Sequence, residues 1–136
     1  MRRGMTNGFK TILTVMTIGV SLSVGLASLA VAETSAIPAA AMTEAKDIFA
    51  NRCSTCHGPG GKGDGPAGAA LNPKPRDYSD AAWQKTVTDD QIEKIILEGG
   101  PAVGKSPLMP PNPDLTAKPQ VVKGLRSIVR SFGEKK

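Results

Sequence analysis

The sequence predicts an all-α fold of about four short helices joined by long loops rich in glycine and proline. Apolar residues recur at helical spacing in separate stretches, and almost nothing reads as a strand. The segments between them hold most of the 15 Gly and 11 Pro, a density that neither helix nor sheet tolerates. Large apolar side chains are scarce, with three Phe, one Trp and one Tyr in 136 residues, so the chain alone makes a thin core.

The first ten residues carry Arg2, Arg3 and Lys10 and no acid, and residues 11–31 are uncharged and rich in Leu, Val, Ile, Ala and Gly. This is the pattern of an export signal, and the small residues Ala30-Val31-Ala32 place cleavage between Ala32 and Glu33. The apolar run, at about twenty residues, is also long enough to span a bilayer, so an uncleaved anchor is the alternative. Gly-Met-Thr after Arg2-Arg3 departs from a twin-arginine pattern and favours general secretion. Three of the 17 basic residues and none of the 12 acids precede Glu33, leaving 14 basic against 12 acidic residues, a net +2. The pI of 9.4 is therefore largely a property of the leader, and with no Lys/Arg stripe it gives no support for nucleic-acid binding.

Beyond the signal (1–32) come a flexible lead-in (33–42) and one domain (43–136), about a hundred residues and a single unit by length. Thr43 reads as an N-cap, Glu44 and Asp47 place acids in the first turns, and Ala45, Ile48, Phe49 and Cys53 repeat at helical spacing. This first helix runs into Cys53-Ser54-Thr55-Cys56-His57, which contains the chain's only two cysteines and only histidine. On a helical turn the two thiols share a face and can reach the two vinyl groups of a porphyrin, with His57 presenting its ring to the iron from the same side. One covalent haem c is the cofactor this motif predicts. A thioredoxin-like disulfide needs a strand-helix context that is missing, and a structural zinc needs four ligands. An ordinary buried histidine leaves the clustering of all three soft ligands without a reason.

After His57 the run from Gly58 to Gly68 includes a formal G-x-G-x-x-G at Gly58, Gly60 and Gly63. That pattern signifies a dinucleotide only between a strand and a helix, and Lys62 is followed by Gly63, so it is no P-loop. Its expected role is to wrap backbone closely against the macrocycle. Leu71 to Tyr78 continues as a proline-fixed loop, the natural source of a carbonyl to accept the second ring N–H of His57, at a position near Pro66 or Pro73.

A short helical turn over Asp80–Gln84 carries Trp83, and Thr88-Asp89-Asp90-Gln91 is a capping box opening a firmer helix. Ile92, Ile95 and Ile96 form its stripe and Gly99 ends it. Arg76, Tyr78 and Trp83 have polar ends suited to haem propionates, and read equally well as core aromatics and a surface charge. Met109 lies in a proline-rich loop, Gly104 to Pro113, that is too stiff for helix. A methionine on a loop is often a gap-filler, but the others precede the first predicted helix, which leaves Met109 as the candidate for the sixth iron ligand. Last, Thr116 caps a helix with Pro119 in its first turn, and Val122, Leu125, Ile128, Val129 and Phe132 form its apolar face up to Gly133. Gly124 weakens that helix but suits a close crossing near Ala45.

Taken together, the residues from Met42 to Phe132 resemble the class I cytochrome c family, most closely its small exported bacterial monohaem members. The resemblance implies a cytochrome c-like fold wrapped around one covalent haem, with Cys53 and Cys56 as thioether donors and His57 and Met109 as axial ligands. It also implies a crossing of the first and last helices at Ala45 and Phe49 with Leu125 and Ile128, where the family commonly has an aromatic residue in place of Ile128. The protein is then an electron carrier in the periplasm and not an enzyme. Its partners are a transient redox donor and acceptor, and it meets the membrane only through respiratory partners or an uncleaved leader. Lys62, Lys74 and Lys105 either border the haem edge or are scattered solvated charges. The competing roles are a haem subunit of a larger oxidoreductase complex and a haem sensor from which Met109 dissociates.

Overall fold

The computed structural model describes residues 36–134, and the expected signal or anchor over 1–32 lies outside them. Five α-helices, α1 Ala39–Ile48, α2 Ser54–His57, α3 Ala81–Thr86, α4 Asp89–Glu98 and α5 Pro119–Glu134, are joined by loops with short 3₁₀ turns, and the described residues contain no strand. This is the predicted all-α architecture.

Helix α1 starts at Ala39, so the lead-in expected over 33–42 is already helical in its last residues. Ala39, Ala40 and Ala41 have the strongest helix propensity of any residue type, yet they carry no apolar periodicity to reveal it. Thr43 lies inside the helix and its hydroxyl donates to the Ala39 carbonyl at 3.0 Å, so it is not the N-cap. Between α1 and α2, Phe49–Cys53 forms a π-helical turn. Its wider ladder admits an extra residue and turns the following Cys53-x-x-Cys56-His57 segment relative to the buried face of α1.

Asp80 caps α3, accepting from the N–H groups of Ala82 and Trp83 at 2.9 and 3.2 Å. Thr88 and Gln91 form the expected reciprocal capping box on α4. Helix α5 begins at Pro119 and not at Thr116. A residue before proline avoids the helical region, which keeps Lys118 outside the helix, and Pro119 loses no hydrogen bond in the first turn.

Helices α1 and α5 cross where Gly124 meets the fully buried Ala45. The aromatic contact sits one turn beyond Ile128: the rings of Phe49 and Phe132 have centroids 5.4 Å apart, and Ile128 packs half-buried against the same core. Helices α4 and α5 are joined by Arg130, which pairs with Asp89 at 2.8 Å and donates to the Val87 carbonyl, and by Arg126, which bridges Asp89 and Glu93. The ion pairs are partly exposed and individually modest, but they hold the α4 face that lines the site.

Candidate cofactor site

A four-residue helix cannot hold itself, because its carbonyls have no partners within the helix. In α2 the next loop supplies them: Ala67 N–H donates to Thr55 O, Gly65 N–H to Cys56 O and Gly63 N–H to His57 O, at 2.8 to 3.1 Å. The chain can double back so tightly because Gly58, at φ 75°, leaves the helix in a conformation that side chains disfavour. Glycine serves packing here in a way the sequence did not disclose. The close approaches of Gly63, Gly65 and Gly68 are to the backbone of Pro75, Ser54, Thr55 and Cys56, and Gly61 lies against the Phe132 ring. Of this run only Lys62 reaches the cavity described below, so these glycines brace the back of α2 and do not themselves touch the space on its other side.

His57 is 7 % exposed. Its Nδ1 lies 3.3 Å from the Arg76 carbonyl. A carbonyl only accepts, so Nδ1 carries the proton and Nε2 keeps its lone pair, the tautomer a metal requires. Burial holds the imidazole pKa below its usual value, and the weaker effect of the Arg76 carbonyl opposes this. The ring is therefore neutral at neutral pH. The acceptor expected near Pro66 or Pro73 is thus Arg76, in the proline-fixed loop but further along it.

Cys53 and Cys56 are free, partly buried thiols. Burial pushes the Cys53 thiol up to about 11, against the smaller opposing effect of Arg52. Redox-active cysteines typically have lowered values, the opposite of the direction at Cys53. Among the described residues no three His, Cys, Asp or Glu side chains are placed to hold a metal ion together.

Cys53, Cys56, His57 and Met109 all line one cavity of about 860 Å³. Its walls are largely apolar, with Phe49, Leu71, Ile95, Ile96, Leu125 and Val129 contributing. An apolar space of this size fits a cofactor, since cofactor pockets run from about 300 to 1,000 Å³. The donors on its wall are an imidazole lone pair, a thioether and two thiols. That set fits a haem bound through iron and through two covalent bonds, with the apolar walls matching the macrocycle.

The Met109 loop is fastened to the end of α4. Gly100 N–H donates to Met109 O at 2.9 Å, Asn112 N–H to Leu97 O at 3.0 Å, and the Asn112 amide to Ile96 O at 2.8 Å. Asn112 is a residue that sequence reading missed. Its only signal was a polar residue between prolines beside Met109.

Arg76, Tyr78 and Trp83 also line the cavity. Arg76 lies 5.8 Å over the Trp83 ring and pairs with Asp80 at 3.4 Å, while Tyr78 is buried with its hydroxyl 3.0 Å from His57 Nε2. Lys62, Lys74 and Lys105 stand exposed along the same cavity, and none is in an ion pair among the described residues.

A helical chain that closes an apolar cavity over two thiols, an imidazole and a thioether defines a class: proteins folded around a covalently tethered haem. The family model for cytochrome c matches residues 42–123, from within α1 into α5, and the chain belongs to the cytochrome c family. A comparison with curated proteins finds no match. Membership brings haem c and electron transport in general, in a family of carriers that are typically exported. Among the described residues no helix is long and apolar enough to cross a membrane.

Proposed function

We propose that the protein is a monohaem c-type cytochrome carrying single electrons between redox partners in the periplasm. Cys53 and Cys56 hold the haem as thioethers, and His57 Nε2 and the Met109 thioether are its axial ligands. The observation that supports this is the convergence of all four side chains on one apolar cavity, with the Arg76 carbonyl holding His57 in the ligating tautomer.

When bound, the haem supplies a one-electron iron couple, which a thioether ligand biases toward the reduced state. The chain's own residues do the rest. With His57 and Met109 both ligating the iron, no position would remain for a substrate, and the apolar walls would limit the access of water. His57 is the chain's only histidine, so no second imidazole is at hand for proton transfer. Outer-sphere transfer through an exposed edge is the chemistry that remains. Lys62, Lys74 and Lys105 along the cavity suit a brief encounter with an acidic partner, the small, transient contact usual for redox proteins.

The test is an optical spectrum of the purified protein, oxidised and reduced, before and after carbon monoxide, beside Met109→Ala. The native reduced form stays low-spin and ignores carbon monoxide while the variant binds it. Ready binding by the native form would make a sensor the better account.

A further inference from the structure

Tyr78 stands in a relation to His57 that ligation alone does not use. The two rings are within 16° of parallel and their centroids are 4.5 Å apart. Rings this close and this parallel form an offset stack. A hydroxyl approaching Nε2 along its in-plane lone pair would hold the centroids much further apart. The phenol is therefore stacked against the imidazole, with its hydroxyl 3.0 Å from Nε2.

Tyr78 is itself held on several sides. Trp83 and Phe132 lie roughly parallel to it, with centroids at 5.6 and 6.2 Å. Its N–H donates to Gly61 O at 2.7 Å, and its carbonyl accepts from the Gln84 amide at 2.8 Å. The same Gln84 nitrogen donates to Val129 O at 2.9 Å, which ties the arrangement to α5. By contrast, the hydrogen bond from His57 Nδ1 to Arg76 restrains one atom of the imidazole and does not by itself fix the plane of the ring.

We propose that Tyr78 is the positioning residue for His57: its braced ring, lying on the face of the imidazole, sets the plane in which His57 meets the iron. This rests on the haem reading above. The Arg76 carbonyl selects the tautomer and the Tyr78 ring selects the angle. The angle matters because imidazole π orbitals overlap unequally with the two iron d orbitals of matching symmetry, and the ring plane decides which is raised.

The experiment is low-temperature electron paramagnetic resonance of the oxidised holoprotein, comparing wild type with Tyr78→Phe and Tyr78→Leu. The g values of low-spin ferric iron report the orientation of the axial ligands. Tyr78→Phe keeps the flat face and retains the wild-type values. Tyr78→Leu removes it, displacing the largest g value and broadening the signal, with the haem still covalent in the pyridine haemochrome spectrum. Tyr78→Met, which keeps apolar volume without a flat face, shows the same displacement and serves where the leucine variant assembles poorly. Wild-type g values in the leucine or methionine variant overturn the proposal, as does an equal displacement in Tyr78→Phe. If wild type carries no covalent haem, the haem reading fails and this inference with it. Unchanged values in haem-loaded variants defeat this inference alone.

Discussion

Gly124 of α5 approaches Ala45 of α1 so closely that a Cβ on the glycine would stand 2.7 Å from the alanine's. Two opposing effects meet there. Alanine is intrinsically better than glycine in a helix by about 1 kcal/mol. Overpacking a close-packed crossing costs about 1–3 kcal/mol, and Ala45, at 0 % exposure, has nowhere to go. Gly124→Ala is therefore expected to lower the unfolding free energy of the holoprotein by up to about 2 kcal/mol in denaturant titration. Adding Ala45→Gly recovers part of the loss. A single variant more stable than wild type would show that the helices move apart freely.

Asn112 predicts a change in the site without a change of ligand. Its amide holds the Met109 loop to the Ile96 carbonyl. In Asn112→Ala that carbonyl loses its partner and the loop one of its fastenings, worth about 1 kcal/mol. Reduced Asn112→Ala is expected to bind carbon monoxide slowly, between the inert wild type and the open Met109→Ala. Stopped-flow mixing measures it, and complete inertness of Asn112→Ala would show that the flanking prolines suffice.

Acid behaviour follows from Arg52 and Asp114, paired at 2.8 Å. The hydrogen bond from Arg52 holds the Asp114 carboxyl below its ordinary value of 3.8. A carboxyl whose pKa is lowered on folding adds stability above its unfolded value, and that stability disappears as pH falls through the folded one. Wild type is therefore more stable than Asp114→Asn at neutral pH, and the two converge in strong acid. Both partners are about half exposed, so the gap is small and shrinks with salt. Urea midpoints at neutral and strongly acidic pH test this, and a gap that grows in acid contradicts it.

The lysines offer a kinetic prediction. Replacing Lys62, Lys74 and Lys105 with Glu reverses the sign of the charge along the cavity that they line. Electrostatic steering accelerates association by about 10 to 1,000-fold at low salt. Electron transfer to an acidic redox protein is expected to slow by about tenfold or more in dilute buffer, with the difference closing at high ionic strength. Equal rates at low salt would mean that the lysines are ordinary solvated charges.

Much of the architecture was legible from local rules. The Thr88 capping box, the end of α4 at Gly99 and the closeness of Gly124 to Ala45 each depend on a few residues and a known geometry. Most errors fell where local rules lack a signal, and the start of α5 passed over one that was present. Ala39–Ala41 form helix without an apolar stripe, and Lys118 is kept out of α5 by the proline after it. The π turn over Phe49–Cys53 has no sequence signature at all.

The candidate ligands were determined by the sequence itself, because Cys53, Cys56 and His57 lie within a span of five residues and the chain offers no other histidine or cysteine. Neighbours along a helical turn share a face whatever the rest of the chain does. Tertiary structure alone decided which carbonyl fixes the His57 tautomer and which ring covers its face. Arg76 and Tyr78 are 19 and 21 residues further along the chain. Their loop takes its path from Gly61, Gln84 and the packing of α5, and no local preference encodes that path.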